Sequence, residues 1–133
     1  LYRSQGRYTE AEPLYIKALE LRQHLLGEEH PSVATSYNNL ALLYRSQGRY
    51  TEAEPLYIKA LELYQRLLGE EHPSVATSYN NLALLYESQG RYTEAEPLYI
   101  KALEIAERSL GENHPNTITI RENLESLGEH PQS

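Results

Sequence analysis

The sequence predicts an all-α fold, a solenoid of stacked antiparallel helix pairs, and three observations carry that prediction. Self-comparison shows a 42-residue period: residues 1–42 and 43–84 match at 40 of 42 positions, differing only at Arg22/Tyr64 and His24/Arg66. Each period holds two segments whose apolar residues recur at helical spacing, and nowhere does the alternation of a half-buried strand appear. Residues 85–126 keep the same frame closely through Glu104 and then drift, ending NTITIRENLES where the earlier units read SVATSYNNLAL.

The first helix of each unit, A, is expected from about Ser32 to Gln47, with copies at Ser74 to Gln89 and Asn116 to Leu127. Val33, Tyr37, Leu40, Ala41 and Tyr44 form its apolar stripe. Pro31 and Pro73 stand at the start, where a helix tolerates proline, and Gly48 follows the stripe as a stop. The second helix, B, is expected from about Thr51 to Leu68, with copies at Thr9 to Leu26 and Thr93 to Leu110. Thr51 followed by Glu54 has the spacing of a capping box, and Pro55 falls in the first turn, where it costs little. Ala53, Leu56, Tyr57, Ala60, Tyr64, Leu67 and Leu68 make the B stripe. Tyr64 stands where the other units have Arg22 and Ala106, which suggests the core does not need it.

One A–B pair cannot bury both stripes by itself, so neighbouring pairs must cover what is left. The organisation expected is a single array over residues 1–133. It comprises a truncated first unit at 1–28 that is mainly helix B, repeats at 29–69 and 70–111, and a C-terminal capping helix with its tail at 112–133. The opening LYRSQG reads as the last turn of an A helix. The chain holds no methionine, so it reads as a fragment or a processed product, cut from a longer array at its N-terminus. In helix 116–127, Arg121, Glu122, Glu125 and Ser126 replace Tyr79, Asn80, Ala83 and Leu84, giving the polar face a terminal cap requires and suggesting a natural C-terminus.

Composition removes several classes of function. A formal charge of −7 argues against nucleic acid as a general partner, and the lack of cysteine removes disulfides, thiolate chemistry and cysteine zinc sites. No run approaches the roughly 20 apolar residues of a membrane helix, so no membrane association is expected, and the absence of cysteine fits a cytoplasmic location. His30, His72 and His114 follow acidic or amide residues in the LGEEHP-type loops. One repeat apart, however, they cannot share a metal whose ligands lie about 2.0–2.2 Å away. They read instead as solvated turns held extended by the following proline. No phosphate loop or serine–histidine–acid order is present, so neither enzyme activity, metal nor cofactor is expected.

The run Tyr37, Leu40, Ala41, Tyr44, Gly48, Tyr50, Ala53, Tyr57 and Ala60 resembles the tetratricopeptide signature, with tyrosine where the common pattern has Trp and Phe. The 42-residue period, with YNNLALLY, EAEPLY and LGEEHP, is similar to the kinesin-light-chain class of these repeats. The resemblance implies a right-handed superhelix whose concave face, lined by A helices, grips a peptide or partner protein. It also implies which residues meet that partner. Beside the core stripe of helix A runs a second one, Thr35, Asn38, Leu42 and Arg45, repeated as Thr77, Asn80, Leu84 and Glu87, which matches the family's concave-face positions. Asn39 and Asn81 are weaker candidates. Asparagine costs up to about 0.7 kcal/mol in a helix relative to alanine, so the doubled pairs ask for a reason. Either their amides bind an extended peptide or one of each pair satisfies a neighbouring helix. Leu42 and Leu84 form either a groove floor or a contact to the next A helix. The clustered basic residues of the best-known peptide clamps are absent, so a preference for acidic peptides is not implied. A protein-binding scaffold is therefore the leading expectation. The alternatives are a self-assembly module, with a homo-oligomer through the uncovered helix 9–26, or a regulatory region of a larger multidomain protein.

Overall fold

The computed structural model describes residues 8–129. The chain divides into two compact units, Leu1–Leu67 and Leu68–Ser133. Among the described residues six helices follow one another: α1 (Tyr8–Leu26), α2 (Pro31–Ser46), α3 (Tyr50–Leu68), α4 (Pro73–Ser88), α5 (Tyr92–Leu110) and α6 (Pro115–Leu127). No strand occurs among the described residues. Helices α1, α3 and α5 are the B helices of the sequence, and α2, α4 and α6 are the A helices. The reading of LYRSQG as the end of an A helix lies outside the described residues.

In the first unit α1 packs on α2, and side-chain bonds tie α2 to α3. In the second, α5 packs on both α4 and α6. The A helices bury a wider arc than the single stripe predicted. Val33, Ala34, Ser36, Leu40, Ala41, Leu43 and Tyr44 are all buried in α2, whereas Tyr37 is only half-buried. A helix flanked by B helices needs two apolar faces, which explains Ala34 and Leu43. Tyr37 sits at the rim, where its hydroxyl accepts from Gln23 and Lys59 lies 5.5 Å from its ring. The B core is Ala53, Tyr57, Ala60, Leu61, Leu63 and Tyr64. Tyr64, expected to be dispensable, is 7% exposed, and its hydroxyl meets Thr35 Oγ1 at 2.6 Å.

Two features set the helix boundaries. Each A helix begins at a His-Pro step, and the histidine is the N-cap. Nδ1 of His30, His72 and His114 accepts the backbone N–H of Ser32, Ser74 and Asn116 at 3.0, 3.0 and 3.1 Å. An N-cap acceptor satisfies one of the four amide donors that a helix start leaves free. Sequence reasoning took these histidines as solvated turn residues because imidazole is outside the usual capping set. At the other end of α2 the Gly48 N–H donates to the Arg45 carbonyl and the Arg49 N–H to the Tyr44 carbonyl, a Schellman arrangement with Gly48 at φ 78°. Gly90 closes α4 the same way.

The capping box expected at Thr51 and Glu54 is not how α3 starts. That helix begins one residue earlier at Tyr50, which puts Thr51 inside the first turn. In the equivalent α5 the N-cap is Arg91, which makes no side-chain capping bond. Arginine works differently here. Arg49 grips Glu52 at 2.7 and 2.6 Å, Arg91 grips Glu94 likewise, and each guanidinium lies over a tyrosine, Tyr44 or Tyr86. A carboxylate in the first turn also complements the positive end of the helix dipole.

Candidate functional site

The second stripe of helix A is best followed in α4, because the A helix beside it in the same unit, α6, is fully described. Thr77, Asn80, Leu84 and Glu87 all line cavities in the valley between α4 and α6. One, of about 330 Å³, is walled by Leu84, Glu87, Ser88, Asn123 and Ser126. The other, of about 160 Å³, is walled by Thr77, Asn80, Asn116, Thr119 and Ile120. The stripe thus forms one wall of a valley whose polar side chains are amides, hydroxyls and the Glu87 carboxylate, with Leu84 and Ile120 as its large apolar ones.

Asn80 is buried at 9% exposure, and its Oδ1 accepts from Asn123 Nδ2 at 3.1 Å. This bond links neighbouring A helices, the structural alternative raised for the paired asparagines. Asn81 is half-buried and outside both cavities. Glu87 accepts a 2.6 Å bond from the hydroxyl of Tyr99 on α5. Thr77 is exposed and Leu84 half-buried.

The equivalent stripe in α2 has the same sequence except Arg45 for Glu87. Thr35 is exposed, but its hydroxyl is already engaged, with Tyr64 and with the Pro31 carbonyl at 3.2 Å. Asn38 and Leu42 are half-buried, and Asn38 Oδ1 is enclosed without a partner. Arg45 lies near buried Tyr57, whose phenol is pushed above its ordinary range by burial, with the Arg45 charge acting the other way. Asn39 turns elsewhere, lining a cavity of about 170 Å³ with Tyr15, Ala18, Arg22 and Ser36 on the side of α1. Asn38 and Asn39, adjacent in sequence, therefore serve different faces.

Several polar contacts escaped the sequence reading. Arg22 donates to Ser36 Oγ at 2.7 Å, whereas Ser78 Oγ, its counterpart in α4, is buried without a partner. Arg66 and Arg108 pair with Glu29 and Glu71, so the acidic loops are tied to the B helix that follows them. The 42-residue period could have found these pairs, since Arg66 and Arg108, like Glu29 and Glu71, lie one period apart. Glu12 accepts from both Tyr44 and Arg49, and the Arg49 hydrogen bond holds its carboxyl below the usual carboxylate range. Among the described residues no group of three or more His, Cys, Asp or Glu could hold a metal, and no helix is long and apolar enough to cross a membrane.

The sequence profile of the family described as tetratricopeptide repeat matches residues 1–54, 32–99 and 75–127. Among solved structures, the chain is similar to BtubC (BKLC) from P. vanneervenii, with 35% identity and a TM-score of 0.82 over 92% of this chain and 49% of that one. It is also similar to a Podosopora anserina kinesin light chain with nearly identical TPR-like repeats, with 28% identity and a TM-score of 0.83 over 95% of this chain and 60% of that one. The chain thus spans about half the length of the first and three-fifths of the second. No curated protein matches it.

Proposed function

From the premise that the chain belongs to the tetratricopeptide repeat family, in its 42-residue kinesin-light-chain-like class, we propose that it is a scaffold binding a peptide or partner protein along its A helices. Repeats of this family generally serve protein–protein interaction. The observation that carries the reading is that Thr77, Asn80, Leu84 and Glu87, singled out from sequence, line two cavities of one valley. A partly apolar cleft with a few polar groups is the usual form of a recognition site. The activity proposed for these cavities is binding. A cytoplasmic location fits a chain without cysteine.

The test uses peptides selected on the chain from a random 12-residue display library. Replacing Asn38, Leu42 and Leu84 together by alanine should weaken their binding at least about ten-fold, which is roughly 1.4 kcal/mol. Asn80 is spared because it bridges α4 and α6. Full affinity in a variant that keeps its helical circular dichroism would remove the A-helix face from the proposal.

One observation favours a second reading, self-association through α1. Leu14, Leu21 and Leu25 are 57%, 55% and 68% exposed, and with Ala18 they form a four-three-four stripe on one side of the helix. That spacing matches an apolar seam between two helices, and a two-fold pairing would set the same patch of each copy against the other. Sedimentation should show mass rising with concentration from 15.3 kDa, and Leu21→Glu should abolish the rise. A constant mass at millimolar concentration would exclude this pairing.

A further inference from the structure

Helix α1 carries an apolar face that its copies keep covered. Leu14, Ala18, Leu21 and Leu25 are all exposed. The same positions of α3 are Leu56, Ala60, Leu63 and Leu67, of which Ala60 and Leu63 are buried and the other two half-buried. In α5 the two central positions, Ala102 and Ile105, are buried as well. What α3 sets this face against is the A helix before it, where Leu63 shares a small cavity with Tyr37. That A helix offers a matching surface. Thr35 bonds Tyr64 and the Tyr37 ring receives Lys59, and between these two contacts around the helix lie Ala34 and Ala41, both fully buried. Ala76 and Ala83 repeat them in α4 and are equally buried. In α6, which no described helix follows, the same positions hold Ile118 and Glu125, and both are exposed. The alanine side of an A helix is thus the side that the following B helix covers.

Going beyond the valley, and resting only on the exposed α1 face of the self-association reading, we infer that α1 docks an A helix contributed by another chain. The helix it fits keeps alanine at the positions of Ala34 and Ala41. Small residues there let two helices approach closely, so that Leu14, Leu21 and Leu25 leave water against the flanking side chains. The described helices of a second copy do not offer such a surface. The alanines of α2 and α4 are already buried, and α6 would press the Glu125 carboxylate onto leucine without a partner. The occupant is therefore the closing A helix of a different repeat array, joined head to tail so that α1 follows it as α3 follows α2. Pairing of two α1 helices uses the same leucines and excludes this docking.

The experiment titrates the full chain into a fluorescently labelled peptide with the sequence of residues 28–46, which copies α2 and its His30 cap. Anisotropy reads the affinity, and sedimentation reads the mass of the complex. Two control peptides accompany it, the same sequence with Ala34→Glu and Ala41→Glu, and residues 112–127, which copy α6. On the chain, Leu21→Glu puts a charge into the exposed face without entering the core. One peptide should join one chain of 15.3 kDa, and each control peptide, like Leu21→Glu, should weaken binding at least about ten-fold. Equal affinity for the three peptides would overturn the inference, and so would full affinity in the Leu21→Glu variant. No binding up to about 1 mM peptide would overturn it too. If the mass of the chain alone then rises with concentration, self-association through α1 stands, and if it stays constant both fall.

Discussion

Helices α1 and α3 share all but two of their nineteen residues, yet they live in different environments. Leu21 is 55% exposed, and its counterpart Leu63 is 4% exposed. The cause lies outside the helix. Leu63 sits beside Tyr37 and Glu29 around a small cavity, against the A helix that precedes α3, whereas no described A helix precedes α1. In the second unit Ile105, at the same position of α5, is 1% exposed. A repeat sequence thus specifies a helix locally, but which of its apolar residues become core is decided by the neighbour it stacks on.

The largest expected effect breaks this comparison directly. Leu63→Ala should cost about 2–5 kcal/mol, as truncation of a buried leucine does, while Leu21→Ala should cost well under about 1 kcal/mol. Urea unfolding of the two variants measures both. Equal losses would mean that the exposed face of α1 is covered in solution, and would favour self-association.

A finer version compares α2 with α4, whose sequences differ only at Arg45 and Glu87. Ser36 accepts a charged hydrogen bond from Arg22, but Ser78 is buried with no partner. Ser36→Ala should therefore destabilise by about 1–2 kcal/mol, and Ser78→Ala should be neutral or slightly stabilising, because it removes an unsatisfied buried hydroxyl. The same substitution in two helices that differ at one residue should have different consequences. If both cost the same, the Arg22 bond contributes nothing measurable.

These contrasts show what could be read from sequence and what could not. The period, the helix pairs and their ends within about a residue followed from Pro31, Gly48 and the 3.6-residue stripes, because those signals are local. The stripe Thr77, Asn80, Leu84 and Glu87 was legible as a face for the same reason. Pairings across helices were not. The Asn80–Asn123 bond joins residues a full repeat apart, and the burial of Tyr64 depends on Thr35 opposite it. Imidazole capping was missed because capping preferences are dominated by small oxygen acceptors, and a His-Pro step also has a simpler conformational reading.

The smallest effect expected concerns pH, and it separates the acidic side chains by their partners. Glu12 is a quarter exposed and lies between Tyr44 and Arg49, with the Arg49 hydrogen bond the main cause of its lowered pKa. A carboxyl whose folded pKa is depressed contributes stability above its unfolded value near 4.5 and loses it as pH falls through the lower folded one. Stability should accordingly hold from neutrality down to about pH 5 and then decline. Glu12→Gln should be less stable at neutral pH and should flatten the acid decline. Exposed Glu71 and Glu94 are lowered by Arg108 and Arg91, but solvent screening makes their share of the decline smaller. Thermal unfolding at pH 7, 5 and 3 tests the ordering. A decline unchanged by Glu12→Gln would assign the acid sensitivity to the exposed pairs instead of the Glu12–Tyr44–Arg49 cluster.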